Sequence, residues 1–380
     1  MYKLCRNGLV FFLACLAMAI PAHAIDYNWI GGHGMNFNEA ANWDPSGVPN
    51  SNSDSATIQN GGVVDLGASN TVFTLTLGPG TLNLNSDGNL NTTQVIGTGT
   101  LGFSGGWLTA SANSSNFLNT FNVLSTGGAT IDTQSNNVTA GGLFADLGGG
   151  ITGGLTKQGA GTLTLTVMNS YTGATTVSAG VLQADNGMGL SASSLLRLDG
   201  GVLQSNSAYS FTRSLGTSGG TFQWTANGGG FSAGVAGPTP LTVNIGGHTI
   251  ADTLTWGSAS VPGDIGSKIV GTLKLSSPTA QNAVNIVNNI DLNGADRTIE
   301  VDNSDTSMTY RGSILGVISN SSSTPAGIIK TGPGRLYLTA TNTYDRTTTV
   351  LDGFMAYAVL QPHGNYVVKG GVMCFCGYSP

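Results

Sequence analysis

A stretch of twenty-nine residues occurs twice in this chain. Gly154-Leu-Thr-Lys-Gln-Gly-Ala-Gly-Thr-Leu-Thr-Leu-Thr, with Tyr171-Thr-Gly-Ala-Thr-Thr-Val-Ser-Ala-Gly-Val-Leu182, returns as Gly327-Ile-Ile-Lys-Thr-Gly-Pro-Gly-Arg-Leu-Tyr-Leu-Thr, with Tyr344-Asp-Arg-Thr-Thr-Thr-Val-Leu-Asp-Gly-Phe-Met355. Lys157 aligns with Lys330, Gly159 with Gly332, Gly161 with Gly334, Leu163 with Leu336, Leu165 with Leu338, Asn169 with Asn342 and Tyr171 with Tyr344. With a three-residue gap the match extends from Gly200-Gly201-Val202-Leu203 to Gly370-Gly371-Val372-Met373. Glycines, alternating apolar residues and Thr/Asn turns repeated in this way mark stacked β-units, each covering its neighbour's apolar face.

Short strand patterns with Gly/Asn/Ser punctuation run through the rest of the chain: 71–77, 81–84, 162–166, 195–198, 221–224, 272–275 and 297–301. In 162–166 the leucines fall on one side and the threonines on the other, as in a half-buried strand. Two architectures satisfy this pattern, a sandwich of antiparallel hairpins and a parallel β-helix. Asn-Gly dipeptides at Asn60, Asn186, Asn227 and Asn293 would suit hairpins. The rhythm continues without a domain break, which favours a β-helix of about 20–25 residues per coil and on the order of 15 coils. Gly228–Pro240 and Ser319–Pro325 have loop composition, and the first is expected to leave the rod as an insertion.

The chain ends bound its location. Lys3 and Arg6, the apolar run from Leu9 to Ile20 and Ala22-His23-Ala24 read as a secretory signal over 1–24. Its loss takes the net charge from −6 to −8. An acidic chain with eleven remaining Lys and Arg and no basic stripe argues against nucleic acid. No later segment is apolar enough for a membrane helix. Glu occurs only at 39 and 300, while Gly, Thr, Ser and Asn abound, which disfavours long helices. The expected divisions are the signal over 1–24, a capping segment over 25–60 with Trp29 and Trp43, and the β-helix over 61–380.

Little in the sequence points to chemistry. No G-x-S-x-G occurs, and His33, His248 and His363 lack metal-ligand spacing. The glycine clusters form no phosphate loop. We therefore expect no enzyme and no cofactor, catalytic or metal residue. Asp296, Glu300, Asp302 and Asp305 are the best acidic cluster, able in principle to hold calcium or a sugar, but a solvated turn accounts for them. Trp224 and Trp256 suit core indoles better than a sugar platform. Cys374 and Cys376 would lie about 6–7 Å apart on one strand face. A disulfide there would be strained, so two small buried apolar residues are expected.

The pattern G-x-x-K-x-G-x-G-x-L-x-L, then N-x-Y-x-G-x-T-x-V and G-x-L, resembles the autotransporter-associated β-strand repeat, also called the passenger-associated transport repeat. The second copy departs once, with Asp345-Arg346 where the first has Thr172-Gly173. The opening Trp29-Ile-Gly-Gly with Asn42-Trp43-Asp-Pro is similar to segments found ahead of such repeats. The resemblance implies a right-handed parallel β-helix, secreted or displayed at the cell surface, with repeats that assist passage across an outer membrane. Its partners would be the outer-membrane export machinery and a cell-surface or polysaccharide ligand. Lys157, Gly159, Gly161, Leu163, Leu165, Tyr171, Lys330, Gly332, Gly334, Leu336, Leu338 and Tyr344 would be structural, the leucines as core and the glycines as corners. Aligned on its first copy, the chain stops at Pro380 in mid-coil, without a membrane barrel, and is expected to be truncated. The rival readings are a β-helical protein that binds or degrades polysaccharide, and a module serving export alone.

Overall fold

The computed structural model describes residues 24–32, 34–206, 210–303, 311–359 and 365–375, so the signal segment lies outside it save for Ala24. The chain winds as a parallel β-helix whose coils contribute strands to three stacks. Stack B is unbroken. It joins Asp26–Trp29, Ser51–Ile58, Ser69–Leu77, Asn89–Ser104, Ser114–Leu124, Val138–Ala140, Thr162–Leu165, Val181–Gln183, Val202–Ser205, Gly229–Ala233, Leu273–Leu275, Arg297–Val301, Ile328–Thr331, Thr348–Val350 and Tyr366–Val368, each parallel to the next. Those fifteen strands agree with the coil number expected from length. Among paired strands only Asp26–Trp29 and Trp43–Asp44 run antiparallel, which excludes the hairpin sandwich.

Stack A carries Trp107–Ala110, Ala129–Asp132, Leu155–Gln158, Thr175–Val177, Leu196–Leu198 and Phe222–Trp224. Further along, the same side holds Thr253–Thr255, Asn289–Asp291 and Ile318–Ser319. Stack C begins with Met35–Asn36, Val63–Leu66 and Thr81–Asn85. Residues 100–104, 121–124 and Phe144–Asp146 continue it. Later come Leu241–Val243, Val284–Ile286, Gly312–Ile314, Arg335–Leu338, Phe354–Tyr357 and Val372–Cys374. The long strand Asn89–Ser104 bends through all three stacks.

Alternation decides what fills the rod. Along stack B, Val138, Leu163, Leu182, Leu203, Phe231, Leu275 and Val301 pair in succession and all are buried. Each such side chain contributes about 1.5–3 kcal/mol by leaving water, and none could do so in an isolated coil. At the N-terminal end Trp43 stacks edge-on against Trp29, Phe37 and Tyr27, and its indole N–H donates to the Phe37 carbonyl at 2.8 Å. This buried aromatic group closes the first coil.

Two expectations are corrected. Gly228–Pro240 is not one excursion: Gly229–Ala233 is a buried strand of stack B, and the chain leaves the stack only after it, returning at Leu273. A Cβ on Gly230 would stand 1.6 Å from the Lys274 carbonyl oxygen, so glycine here serves close approach of strands rather than a loop. Cys374 is disulfide-bonded and only half-buried, where two buried thiols were expected; Cys376 lies outside the described residues.

Candidate functional site

The repeat signatures build one unit whose centre is a lysine inside the rod. Leu155–Gln158 alternates in and out, which turns Leu155 and Lys157 inward. Lys157 occupies a core row of stack A, in register with Leu108, Ile131, Val177, Leu198 and Trp224. Its side chain is fully buried. The ammonium donates to three carbonyls: Gln158 and Gly159 at 2.8 Å in its own corner, and Ala179 at 3.1 Å in the next coil. Every N–H of the charged head thus has an acceptor, which is the condition for burying it. Lys330 repeats the arrangement with Thr331 at 2.7 Å, Gly332 at 2.6 Å and Asp352 at 3.2 Å.

Burial pushes the Lys157 amine down to about 7, with Asp132 pulling the other way. Burial takes Lys330 down to about 8, and Asp352, Glu300 and Asp302 offset part of that loss. The acceptors are backbone carbonyls, so the lysine clips a corner to the corner one coil on.

The glycines make those corners possible. Gly159 and Gly332 have φ of 79° and 75°, a region side-chain-bearing residues rarely adopt. Gly161 is constrained by space instead, since a Cβ there would lie 1.9 Å from the Asn136 carbonyl oxygen. Gly180 and Gly353, next to the lysine-bound carbonyls, have matching surroundings. A Cβ on Gly180 would be 2.5 Å from both the Gly159 and Gly161 oxygens, and one on Gly353 2.5 Å from those of Gly332 and Gly334. Leu163, Leu165, Leu336 and Leu338 are all core.

The Asn-x-Tyr segment joins coils on the remaining side. Asn169 accepts from the Phe144 N–H at 2.8 Å and donates to the Gly189 carbonyl at 2.6 Å. Asn342 accepts from the Ile318 N–H at 2.7 Å. Tyr171 shares a 2.6 Å hydrogen bond with Thr175, which in turn donates to Ser194. Tyr344 bonds Thr348 and, at 3.0 Å, Tyr357. Burial raises both phenols, Tyr171 to about 12. Arg213 carries no motif and was missed in the sequence. It braces the coil beyond the first copy by donating to the Ser194 and Ser191 carbonyls at 2.6 and 2.7 Å and to Asn186 at 2.7 Å.

Where the copies differ in sequence, they differ in wiring. Thr172 donates through its amide and hydroxyl to Asp146 of the preceding coil. In the second copy the carboxylate is local: Asp345 accepts from the Ala326 amide and Asn320, while Arg346 reaches Asp296 at 3.0 Å.

The residues weighed for chemistry do not converge. Asp296 accepts from Gly327 and Arg346, and Glu300 pairs with Lys274 at 3.3 Å. Burial and the neighbouring Glu300 raise the Asp302 carboxyl; Asp305 lies outside the described residues. Trp224 and Trp256 are buried and donate to the Gly229 and Gly271 carbonyls, so neither is a sugar platform. His248 is exposed and pairs with Asp252 at 2.9 Å, while His33 and His363 lie outside the described residues. Among the described residues no group of three His, Cys, Asp or Glu is placed to hold a metal, and no helix is long and apolar enough to cross a membrane.

Residues 155–184 and 328–355 match the sequence profile of the passenger-associated-transport-repeat family. The chain therefore carries two such repeats, set in a parallel β-helix. No curated protein and no solved structure matches the chain.

Proposed function

We propose that this protein is a non-enzymatic, exported β-helical passenger of the autotransporter type, secreted or held at the cell surface. Its repeats would support passage across the outer membrane, and its flanks would serve contact or adhesion. The observation that carries this reading is the coincidence of the two matched repeats with the two buried lysine clips. Each clip ties a corner to the corner of the next coil, so a coil is locked as soon as its successor arrives. A rod that closes coil by coil suits a chain emerging lengthwise from a membrane pore, because no distant segment is needed to complete each step.

The test is surface delivery in a Gram-negative host from the natural gene, read as protease accessibility on intact cells. Replacing both lysines by alanine is expected to lower the surface-exposed fraction several-fold at equal synthesis. Undiminished delivery of the double variant would remove the export role and leave the repeats as scaffold alone.

A further inference from the structure

The three sides of the rod are chemically unequal. On stack A the outward row runs Thr130, Thr156, Thr176, Arg197, Gln223, and on stack B it runs Thr139, Thr164, Gln183, Gln204, Ser232. Both are polar ladders. Stack C instead turns apolar groups outward. Val123 and Ala145 pair in its outer row, and Phe121, Leu147, Met168, Met188, Leu315 and Val359 are exposed along the same side. Scattered exposed apolar residues need no explanation, but a run confined to one side of a solenoid does.

That side is also indented. Thr81, Asn83, Thr100, Gly102, Ser104, Val123, Ser125 and Leu147 surround a cleft of about 320 Å³. It exists because Gly102 stands between Asn83 and Val123 in the outer row and leaves a notch there. Phe121 pairs with Thr100 at its edge and is 43% exposed. Further along stack C, Asn285, Ser313, Leu315, Tyr337 and Thr339 line a second cleft of about 430 Å³. There the buried Asn285 Oδ1 has no hydrogen-bond partner, and Arg311 stands 5.2 Å over the Tyr337 ring.

From this chemistry we infer that the outer face of stack C binds an extended, neutral polysaccharide lying along the rod, with its main subsite in the cleft beside Gly102. The strands under this cleft are paired on both sides, so no edge is free to take an added peptide strand. Recognition must then come from outward side chains. In the Gly102 cleft these are hydroxyls, an amide and apolar surfaces, with no charged group. Hydroxyls and an amide match sugar hydroxyls, while Phe121 and Leu147 offer the flat apolar contact that a pyranose ring presents on its C–H face. The coil spacing of about 4.8 Å is close to the length of one hexose in a β-linked chain, so successive sugars meet successive coils. This extends the contact role proposed above but does not depend on export, since binding is measured on purified protein.

The experiment is affinity electrophoresis of the folded protein through gels containing laminarin, hydroxyethylcellulose, galactomannan or dextran, with polygalacturonate and alginate as acidic comparators. At least one neutral polymer is expected to retard the protein. Phe121→Ala with Leu147→Ala should weaken that retardation at least tenfold, whereas Ile250→Ala, exposed elsewhere, should not. Circular dichroism melting checks that the variants stay folded, and Thr100→Trp, which fills the cleft from its rim, gives an independent block. The inference fails if no neutral polymer retards the protein, if only the acidic ones do, or if the stack C variants bind as well as the parent. It also fails if they abolish self-association in sedimentation rather than glycan binding, which would make the face a contact between copies of this chain.

Discussion

The two copies of the repeat are almost the same unit hung on the rod in different phases. In the first, the lysine strand Leu155–Gln158 lies on stack A and the Leu-x-Leu strand Thr162–Leu165 on stack B. In the second, the lysine strand Ile328–Thr331 lies on stack B and Arg335–Leu338 on stack C. The Asn-x-Tyr segment moves correspondingly, with Asn342 against Ile318 of the stack A side. Yet the tripods, the corner glycines and the core leucines agree in detail. The lesson is that the signature specifies two corners and the strand between them, not which side of the rod they occupy. A roughly three-sided coil offers equivalent corners, so the unit fits at any of them.

If the units are equivalent, matched substitutions should cost alike except where their surroundings differ. The largest expected effect is at the tight corner. Gly161→Ala places a Cβ 1.9 Å from a backbone oxygen, against 2.6 Å for Gly334→Ala. The first should cost about 3 kcal/mol and the second nearer 1 kcal/mol, measured by urea unfolding. Equal losses would mean that backbone relaxation, not the static gap, governs the corner.

Next come the clips. Lys157→Met and Lys330→Met each strip three carbonyls of a donor and should cost about 2 kcal/mol apiece. A clear difference between them would break the equivalence.

Their pH dependence sharpens the same point. An unfolded lysine holds its proton to about 10.5, whereas folded Lys157 releases it from about 7 and Lys330 from about 8. Between those values and about 10.5 the unfolded chain binds more protons, so stability rises with pH through that window and is least below it. The rise should begin about one pH unit later in Lys157→Met, where only the second clip titrates. A stability curve flat from pH 7 to 10 in the parent would show that the carbonyl tripods hold both ammonium groups charged.

The tyrosines should differ modestly. Tyr344→Phe breaks contacts to Thr348 and Tyr357, whereas Tyr171→Phe breaks one to Thr175. Losses of about 1.5 and 1 kcal/mol are expected, and the reverse order would assign the stability to Thr175 and Ser194 instead. Smallest is Arg346→Ala, whose exposed pair with Asp296 should be worth under about 0.5 kcal/mol and vanish in salt.

Much of this architecture was legible in the chain. Strand patterns at 71–77, 162–166 and 297–301 fall within or beside observed strands, because period-two alternation is the direct record of one face turned inward. The parallel winding followed from the unbroken rhythm. The role of Lys157 was not legible. The alternation in Leu155-Thr-Lys-Gln assigns it to the inner face, but composition reads a lysine as solvent-facing, and only convergence of carbonyls from two coils makes the inside tolerable. Gly229–Ala233 failed for a related reason: glycine marks a loop and a close strand contact with the same letter.

By itself, then, the sequence determined that this protein would be a rod of parallel coils bearing two transport-type repeats. Local alternation and corner glycines are carried by neighbours a few residues apart, and any coil that obeys them must stack. The tertiary structure alone decided the phase of each repeat, the burial of Trp224 and Trp256, and the grooved apolar side of stack C. Those depend on which residues one coil brings opposite another some twenty or forty positions away, and coil length varies too much along the chain for any local pattern to encode that register.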